Sequence, residues 1–183
     1  MPTTPPVLNV VPGGALTPAE RSAIVALCER AFKEPIAPYL AALPATVHVL
    51  AHAGGALVSH ACWVERRLQA GDGPLLLTGY VELVATEPEM EGRGYASAVM
   101  RRMAAEIGGY DLGALGTGVP AFYARLGWEL WRGPLAVRLP PEQGGGLLPT
   151  PGEQVMVLRL ERTPAWLDLD APLSAEWRQG EFW

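Results

Sequence analysis

Cysteine is scarce in this sequence: Cys28 and Cys62 are the only two among 183 residues. Two are too few for a disulfide framework, and their spacing suits no metal site, so a reduced, cytoplasmic setting is expected. No apolar run reaches the roughly 18–20 residues of a membrane span. The start, Met1-Pro2-Thr3-Thr4-Pro5-Pro6, lacks the basic residues and apolar stretch of a secretory signal. Lysine is nearly missing, with Lys33 alone, and glycine (21) and proline (18) are abundant. We read this bias as a genomic composition effect without functional weight. Basic residues number 14 against 19 acidic, a net charge of −5. That balance speaks against a broad nucleic-acid surface and favours a cationic partner. What is present is apolar: 49% of residues, against 18% charged, enough for a sizeable core and too much for global disorder. With no internal repeat and no dividing linker, one domain over 1–183 is expected.

Periodicity and turn chemistry place the elements. Residues 7–11 read as a strand. Thr17-Pro18-Ala19-Glu20 starts a helix with a hydroxyl cap, an early proline and a returning glutamate. Ile24, Leu27, Cys28 and Ala31 then share one helix face. Residues 35–44 should be loop with one short helix. The strands 47–53 and 56–69 flank Gly54-Gly55, a pair suited to a tight hairpin. A turn at Gly71-Asp72-Gly73-Pro74 leads into a third strand, 75–86, completing an antiparallel meander. Val99, Met103 and Ile107 mark an amphipathic helix over 95–107. A buried strand at 112–115, a short helix from Pro120 to about 126, and strands at 128–131 and 155–160 follow. Residues 140–152 read as one long loop, and the tryptophan-rich tail 162–183 should fold back toward the site.

Chemistry concentrates between Tyr80 and Ala98. A strand ends near Thr86, a polar turn follows, and a helix opens at Gly94–Ala96 with its unpaired amides and positive dipole end. Gly92 and Gly94 carry no Cβ, so a pyrophosphate could approach their backbone closely. The stretch is no Walker loop, because no Gly-Lys-Ser/Thr follows, and no Rossmann fingerprint, because the preceding strands form a meander. Taken alone, Gly92-Arg93-Gly94 reads sooner as a plain turn ahead of a core helix than as a phosphate site. Glu82 on the same strand and Phe122-Tyr123-Ala124-Arg125-Leu126-Gly127-Trp128 change that balance.

With these features the sequence resembles the GCN5-related N-acetyltransferase (GNAT) superfamily. Within it, the likeness is closest to the aminoglycoside 2′-N-acetyltransferase group. It is carried by Cys62-Trp63-Val64-Glu65-Arg66-Arg67-Leu68, Gly79-Tyr80-Val81-Glu82, Asp111-Leu112-Gly113-Ala114-Leu115 and the Tyr123 to Trp128 segment. The ending Glu176-Trp177-Arg178-Gln179-Gly180-Glu181-Phe182-Trp183 is its most specific part. The resemblance implies a mixed α/β (α+β) GNAT fold. Its mostly antiparallel sheet would have six to seven strands, splayed between strands 4 and 5, with helices on both faces. It also implies acetyl-CoA as donor, a small-molecule amine acceptor and a homodimer, with no metal.

The site residues follow from the same resemblance. Glu82 would be the general base, acting through water on the incoming ammonium, and Tyr123 the general acid for the departing thiolate. Val84, Ala85 and Thr86 would offer backbone to the pantetheine arm, and the Val84 N–H would polarise the thioester carbonyl. Gly92, Arg93, Gly94, Tyr95 and Ala96 would form the pyrophosphate turn. Glu91 departs from the signature, which starts with Arg or Gln. Its carboxylate must turn to solvent there, leaving Arg93 as the nearby cation.

Trp183, with its α-carboxylate, would share in amine binding or deprotonation, beside Glu181. Thr117, Glu34 and Glu153 complete the acceptor contacts, fewer carboxylates than the aminoglycoside group uses. A polyamine, metabolite or peptide N-terminus therefore stays open as acceptor, as does an acyl-CoA or drug-binding protein without turnover. The cysteines are expected in the core and not as nucleophiles. His48 and His60 are expected on strands and His52 in the hairpin, without forming a metal set.

Overall fold

The computed structural model describes residues 5–180 and 182–183 of the chain. It divides into two compact units. One comprises the described residues up to Val64 with Val81–Glu106, and the other Glu65–Tyr80 with Ile107–Trp183.

The first unit opens with β1 (Val7–Pro12), followed by α1 (Pro18–Phe32) and α2 (Ala37–Ala42). Thr17 Oγ1 accepts from the Glu20 N–H at 3.2 Å, and the Glu20 carboxylate accepts from the Thr17 N–H at 2.8 Å. This is the reciprocal cap that the sequence motif predicts. β2 (Val47–Ala53) pairs antiparallel with β1 and with β3 (Ala56–Ala70). The hairpin turns on Gly54 and Gly55, both at positive φ, as a two-residue turn of this hand requires. The unit also holds the second part of β4 (Leu75–Thr86) and α3 (Tyr95–Glu106). Ile24, Leu27 and Cys28 of α1 pack with Ile36, Leu40, Leu50 and Ala85 in one apolar cluster. α3 turns Tyr95, Val99, Met100 and Met103 inward and packs against β2.

The second unit contains β5 (Leu112–Gly116), α4 (Pro120–Ala124), β6 (Glu129–Leu130), β7 (Leu135–Arg138), β8 (Leu147–Pro149), β9 (Val155–Arg159) and β10 (Leu173–Glu176). With its parts of β3 and β4, these strands follow the order β6-β9-β5-β4-β3-β10-β7-β8. β4 meets β5 in a short parallel ladder, with Thr78 opposite Leu112, Gly79 opposite Gly113 and Tyr80 opposite Ala114. That ladder is the junction at which splaying is expected. The fold class is as expected: a mixed α/β structure on a mostly antiparallel sheet.

Three short strands, β7, β8 and β10, go beyond the sequence reading. Residues 140–152 are not one loop. Gly144, Gly145 and Gly146, all at positive φ, reverse the chain, and Leu147–Pro149 then pairs with β7. The tail contributes β10, parallel to β7 and antiparallel to β3. The strand expected over 128–131 shrinks to Glu129–Leu130, and Trp128 and Trp131 are buried on either side of it. Trp131 spends its indole N–H on the Ala171 carbonyl at 2.8 Å. Trp166 stays 49% exposed.

The chain end is tied down by Arg66, only 2% exposed. Its Nη1 donates to the Phe182 carbonyl at 2.8 Å, its Nε pairs with Glu176 at 3.2 Å, and its guanidinium lies 4.7 Å from the Tyr80 ring centroid. A buried cation is tolerable only with partners of this kind.

Gly133 offers a test of this packing. A Cβ there would sit 1.9 Å from the Ala171 carbonyl oxygen, a backbone atom that no rotamer change relieves. Gly133→Ala should cost about 2–3 kcal/mol, lowering the thermal midpoint by roughly 5–10 °C. Gly118→Ala, into open space, should leave the midpoint unchanged. Equal midpoints for the two variants would contradict the packing described.

Candidate functional site

In the first unit the site is built on the second part of β4. Glu82 is buried, and its carboxylate accepts from the Tyr39 hydroxyl at 2.8 Å. The next residue, Leu83, has φ 53, a left-handed backbone that costs a non-glycine residue about 1–2 kcal/mol. Side chains of β3 hold the kinked segment from alongside. Cys62 Sγ donates to the Glu82 carbonyl at 3.6 Å, His60 Nδ1 lies 3.0 Å from the Leu83 carbonyl, and Ser59 Oγ donates to the Ala85 carbonyl at 2.9 Å. Val84 and Thr86 are half-buried, and Thr86 Oγ1 lies 2.8 Å from Ser59 Oγ.

Beyond β4, Glu91, Gly92, Arg93 and Gly94 are exposed, whereas Tyr95 is buried and Ala96 half-buried. Gly92 (φ 70) and Gly94 (φ 84) need their glycines. Ala98 N–H donates to the Gly94 carbonyl at 3.0 Å, so the amides of Tyr95, Ala96 and Ser97 have no acceptor within the helix. Arg93 Nη2 donates to the Glu89 carbonyl at 3.2 Å. Glu34 is exposed on the turn after α1.

In the second unit, Tyr123 is 6% exposed. Burial pushes its phenol up to about 12, against the opposing pull of a hydrogen bond with Thr117. Thr117 lies, with Gly116, Glu153 and Trp183, around a cavity of about 530 Å³. Trp183 is buried, its indole N–H donating to Thr150 Oγ1 at 2.8 Å and its carbonyl accepting from Arg178 at 3.3 Å. A Cβ on Gly116 would come within 3.3 Å of the Trp183 carbonyl carbon. Tyr123, Thr117, Glu153 and Trp183 are thus neighbours. Glu181 lies outside the described residues.

The profile of the family described as Acetyltransferase (GNAT) domain matches residues 15–131. The chain belongs to the GNAT acetyltransferases. Aminoglycoside 2′-N-acetyltransferase of Mycolicibacterium fortuitum is 39% identical over 134 residues, covering 70% of this chain and 67% of that protein. A GNAT family N-acetyltransferase of Escherichia coli (YhbS), solved in complex with CoA, superposes with a TM-score of 0.65 at 18% identity, covering 98% of this chain and 93% of that one. Eis1 of Mycobacterium abscessus superposes with a TM-score of 0.58 at 20% identity. This chain aligns over 71% of its own length there, and spans only 32% of that protein. Among the described residues no helix is long and apolar enough to cross a membrane.

GNAT acetyltransferases use acetyl-CoA, and the residues present fit it. A Cβ on Gly92 or Gly94 would meet nothing within 4 Å, so the approach to the helix amides is open to an anion. Glu91 stands exposed in extended backbone, the arrangement that a carboxylate beside a pyrophosphate site requires. Arg93 is free of any carboxylate contact in this turn, its bond being to a backbone carbonyl.

Tyr39 and the Leu83 kink escape sequence reasoning. Tyr39 sits in a proline-interrupted stretch 43 residues from its partner, and no local pattern marks a leucine at positive φ. The histidines are another surprise. His48 and His60 are fully buried, their rings tilted by 33° with centroids 5.2 Å apart, and their ligand atoms lie within 4.8 Å of Cys62 Sγ. Both thiols are pushed up by burial, Cys28 to about 12, in keeping with core cysteines that are not nucleophiles.

Burial, aided by the charge of Arg21, pushes His48 down to about 4; burial, aided by His48, pushes His60 down to about 3. The unfolded chain therefore binds protons that the folded chain refuses. Stability should be complete above about pH 6.5 and decline as pH falls from there toward about 3. Thermal midpoints recorded across that range should fall steadily. A flat profile would contradict the buried neutral pair.

Proposed function

We propose that this GNAT transfers acetyl from acetyl-CoA to a primary amine of a small polycationic acceptor, with the 2′-amine of an aminoglycoside as the leading candidate. The observation that carries the reading is the β4 segment: a buried carboxylate at Glu82, a left-handed Leu83, and an open glycine turn at the start of α3. The aminoglycoside is favoured by the 39% identity to the Mycolicibacterium fortuitum protein. A homodimer in the cytoplasm is part of the same reading.

Acetyl-CoA supplies an activated thioester. An ammonium must lose a proton before its nitrogen can attack that carbonyl, and Glu82, through a water molecule, is the acceptor. Tyr39 donates to the Glu82 carboxylate, which fixes its orientation. The Val84 N–H donates to the carbonyl oxygen as negative charge builds there. Gly92, Gly94, Tyr95 and Ala96 hold the pyrophosphate through backbone amides, with Glu91 turned to water and Arg93 adding positive charge.

Tyr123, held up to about 12, keeps its proton throughout the neutral range. As the general acid it gives that proton to the departing sulfur as the C–S bond breaks, and the phenolate is reprotonated with the second proton that the attacking nitrogen releases. Thr117, Glu153 and Trp183 contact the acceptor, with Glu34 and Glu181 as further carboxylates for its ammonium groups.

Free-thiol release over a panel of amines tests the reading. Turnover is expected with 2′-amino aminoglycosides. Glu82→Gln should lower kcat about 100-fold and Tyr123→Phe about 10–100-fold, with acetyl-CoA affinity retained. Release with polyamines or peptides alone would move the acceptor elsewhere. Wild-type turnover in both variants would remove the two roles, and acetyl-CoA binding without any release would leave a sensor.

A further inference from the structure

Leu83 is strained, and its carbonyl is met by the buried side chain of His60. We propose that His60, backed by His48 and Thr46, is a positioning residue: the three side chains form a one-way hydrogen-bonded chain that holds the Leu83 carbonyl and thereby aims Glu82. The inference rests on the reading of Glu82 as base.

The direction of the chain follows from its last member. His60 Nδ1 lies 3.0 Å from the Leu83 carbonyl oxygen, which can only accept, so Nδ1 carries the proton, and Cys28 Sγ, 3.7 Å from the same nitrogen, is then a second, weaker acceptor. In a neutral ring Nε2 is then an acceptor. Its partner at 2.9 Å, His48 Nδ1, must donate. That leaves His48 Nε2 as an acceptor, and Thr46 Oγ1 at 2.8 Å must donate to it. All four ring nitrogens are used and no proton is left over. Both rings are fully buried, and burial keeps both neutral, the state this chain demands. A proton added to His60 would turn Nε2 against the His48 Nδ1–H, donor facing donor, and break it.

The chain ends on a backbone carbonyl, so it cannot deliver a proton to Glu82. Its effect is geometric. Leu83 follows Glu82 directly and precedes Val84, and a carbonyl fixed between them fixes the twist of both neighbours. Cys62 adds a weaker hold on the Glu82 carbonyl from the same strand. The cluster of His48, His60 and Cys62 also has the makings of a metal site. Ring nitrogens already engaged in a directed chain, beside a thiol that burial keeps protonated, favour the metal-free arrangement.

Nitrogen-15 NMR of the histidine-labelled wild-type protein at about pH 7 reads the tautomers without needing activity. Both His48 and His60 should appear neutral and protonated at Nδ1. An Nε2-protonated ring, a charged ring, or metal-shifted nitrogens would overturn the proposal. For the function, His60→Leu removes the donor, whereas His60→Asn keeps an N–H near the Nδ1 position. Folded His60→Leu should lose about 10–100-fold in kcat with the KM for amine changed less than about threefold, and His60→Asn should recover most of the loss. If His60→Leu does not fold, Thr46→Val takes its place and should lower kcat at least about threefold. Wild-type kcat in the folded variant, or no rescue by asparagine, would overturn the positioning role. A wild-type protein with no acetyl transfer at all would instead fail the functional reading, and the tautomers would still be measurable.

Discussion

The left-handed residue at Leu83 is the constraint on which the arrangement of the first unit's β4 segment depends. A regular strand would turn Glu82, Leu83 and Val84 to alternate faces and commit their backbone groups to ladders. The kink interrupts that regularity between Glu82 and Val84, the residues proposed as base and as amide donor. Leucine adopts this conformation at a cost, and β3 meets it with Ser59, His60 and Cys62, each on a different β4 carbonyl. The apolar cluster of α1, α2 and β2 lies around the same segment, with Cys28 Sγ 3.7 Å from His60 Nδ1. Packing, buried polar groups and candidate base therefore form one arrangement.

The second unit uses a different device. Its tail is drawn in by Arg66, a buried cation whose partners are Glu176 and the Phe182 carbonyl. Trp183 is then seated by Thr150, against Gly116 where any side chain would crowd it. Thr117 links this corner to Tyr123, first by its hydroxyl and then through the common cavity with Glu153. Here long-range polar contacts, more than local propensity, bring the candidate acceptor residues together.

Much of this could be read along the chain because it is locally encoded. The cap at Thr17, the Gly54-Gly55 hairpin and the glycine turn before α3 each need a particular residue at a particular place, and the sequence displays it. The strands β7, β8 and β10 could not be read the same way. Each is four residues or shorter, too brief for a periodic signal, and each exists because a partner strand is available. Tyr39, Arg66 and the His48–His60 pair were illegible for a related reason. Their meaning lies in contacts with residues distant in sequence, or in a φ angle that composition does not record. Glu82 was legible only through the superfamily pattern around it, since a carboxylate on a strand carries no signal of burial by itself.

The kinked β4 and the open turn at α3 are proposed as the acetyl-CoA site of this GNAT. Titrating CoA into amide-labelled protein and following backbone shifts tests it most directly. Saturable shifts are expected at Val84, Gly92, Gly94 and Ala96, tracking one binding curve. Saturation of CoA binding with those amides unmoved would contradict it.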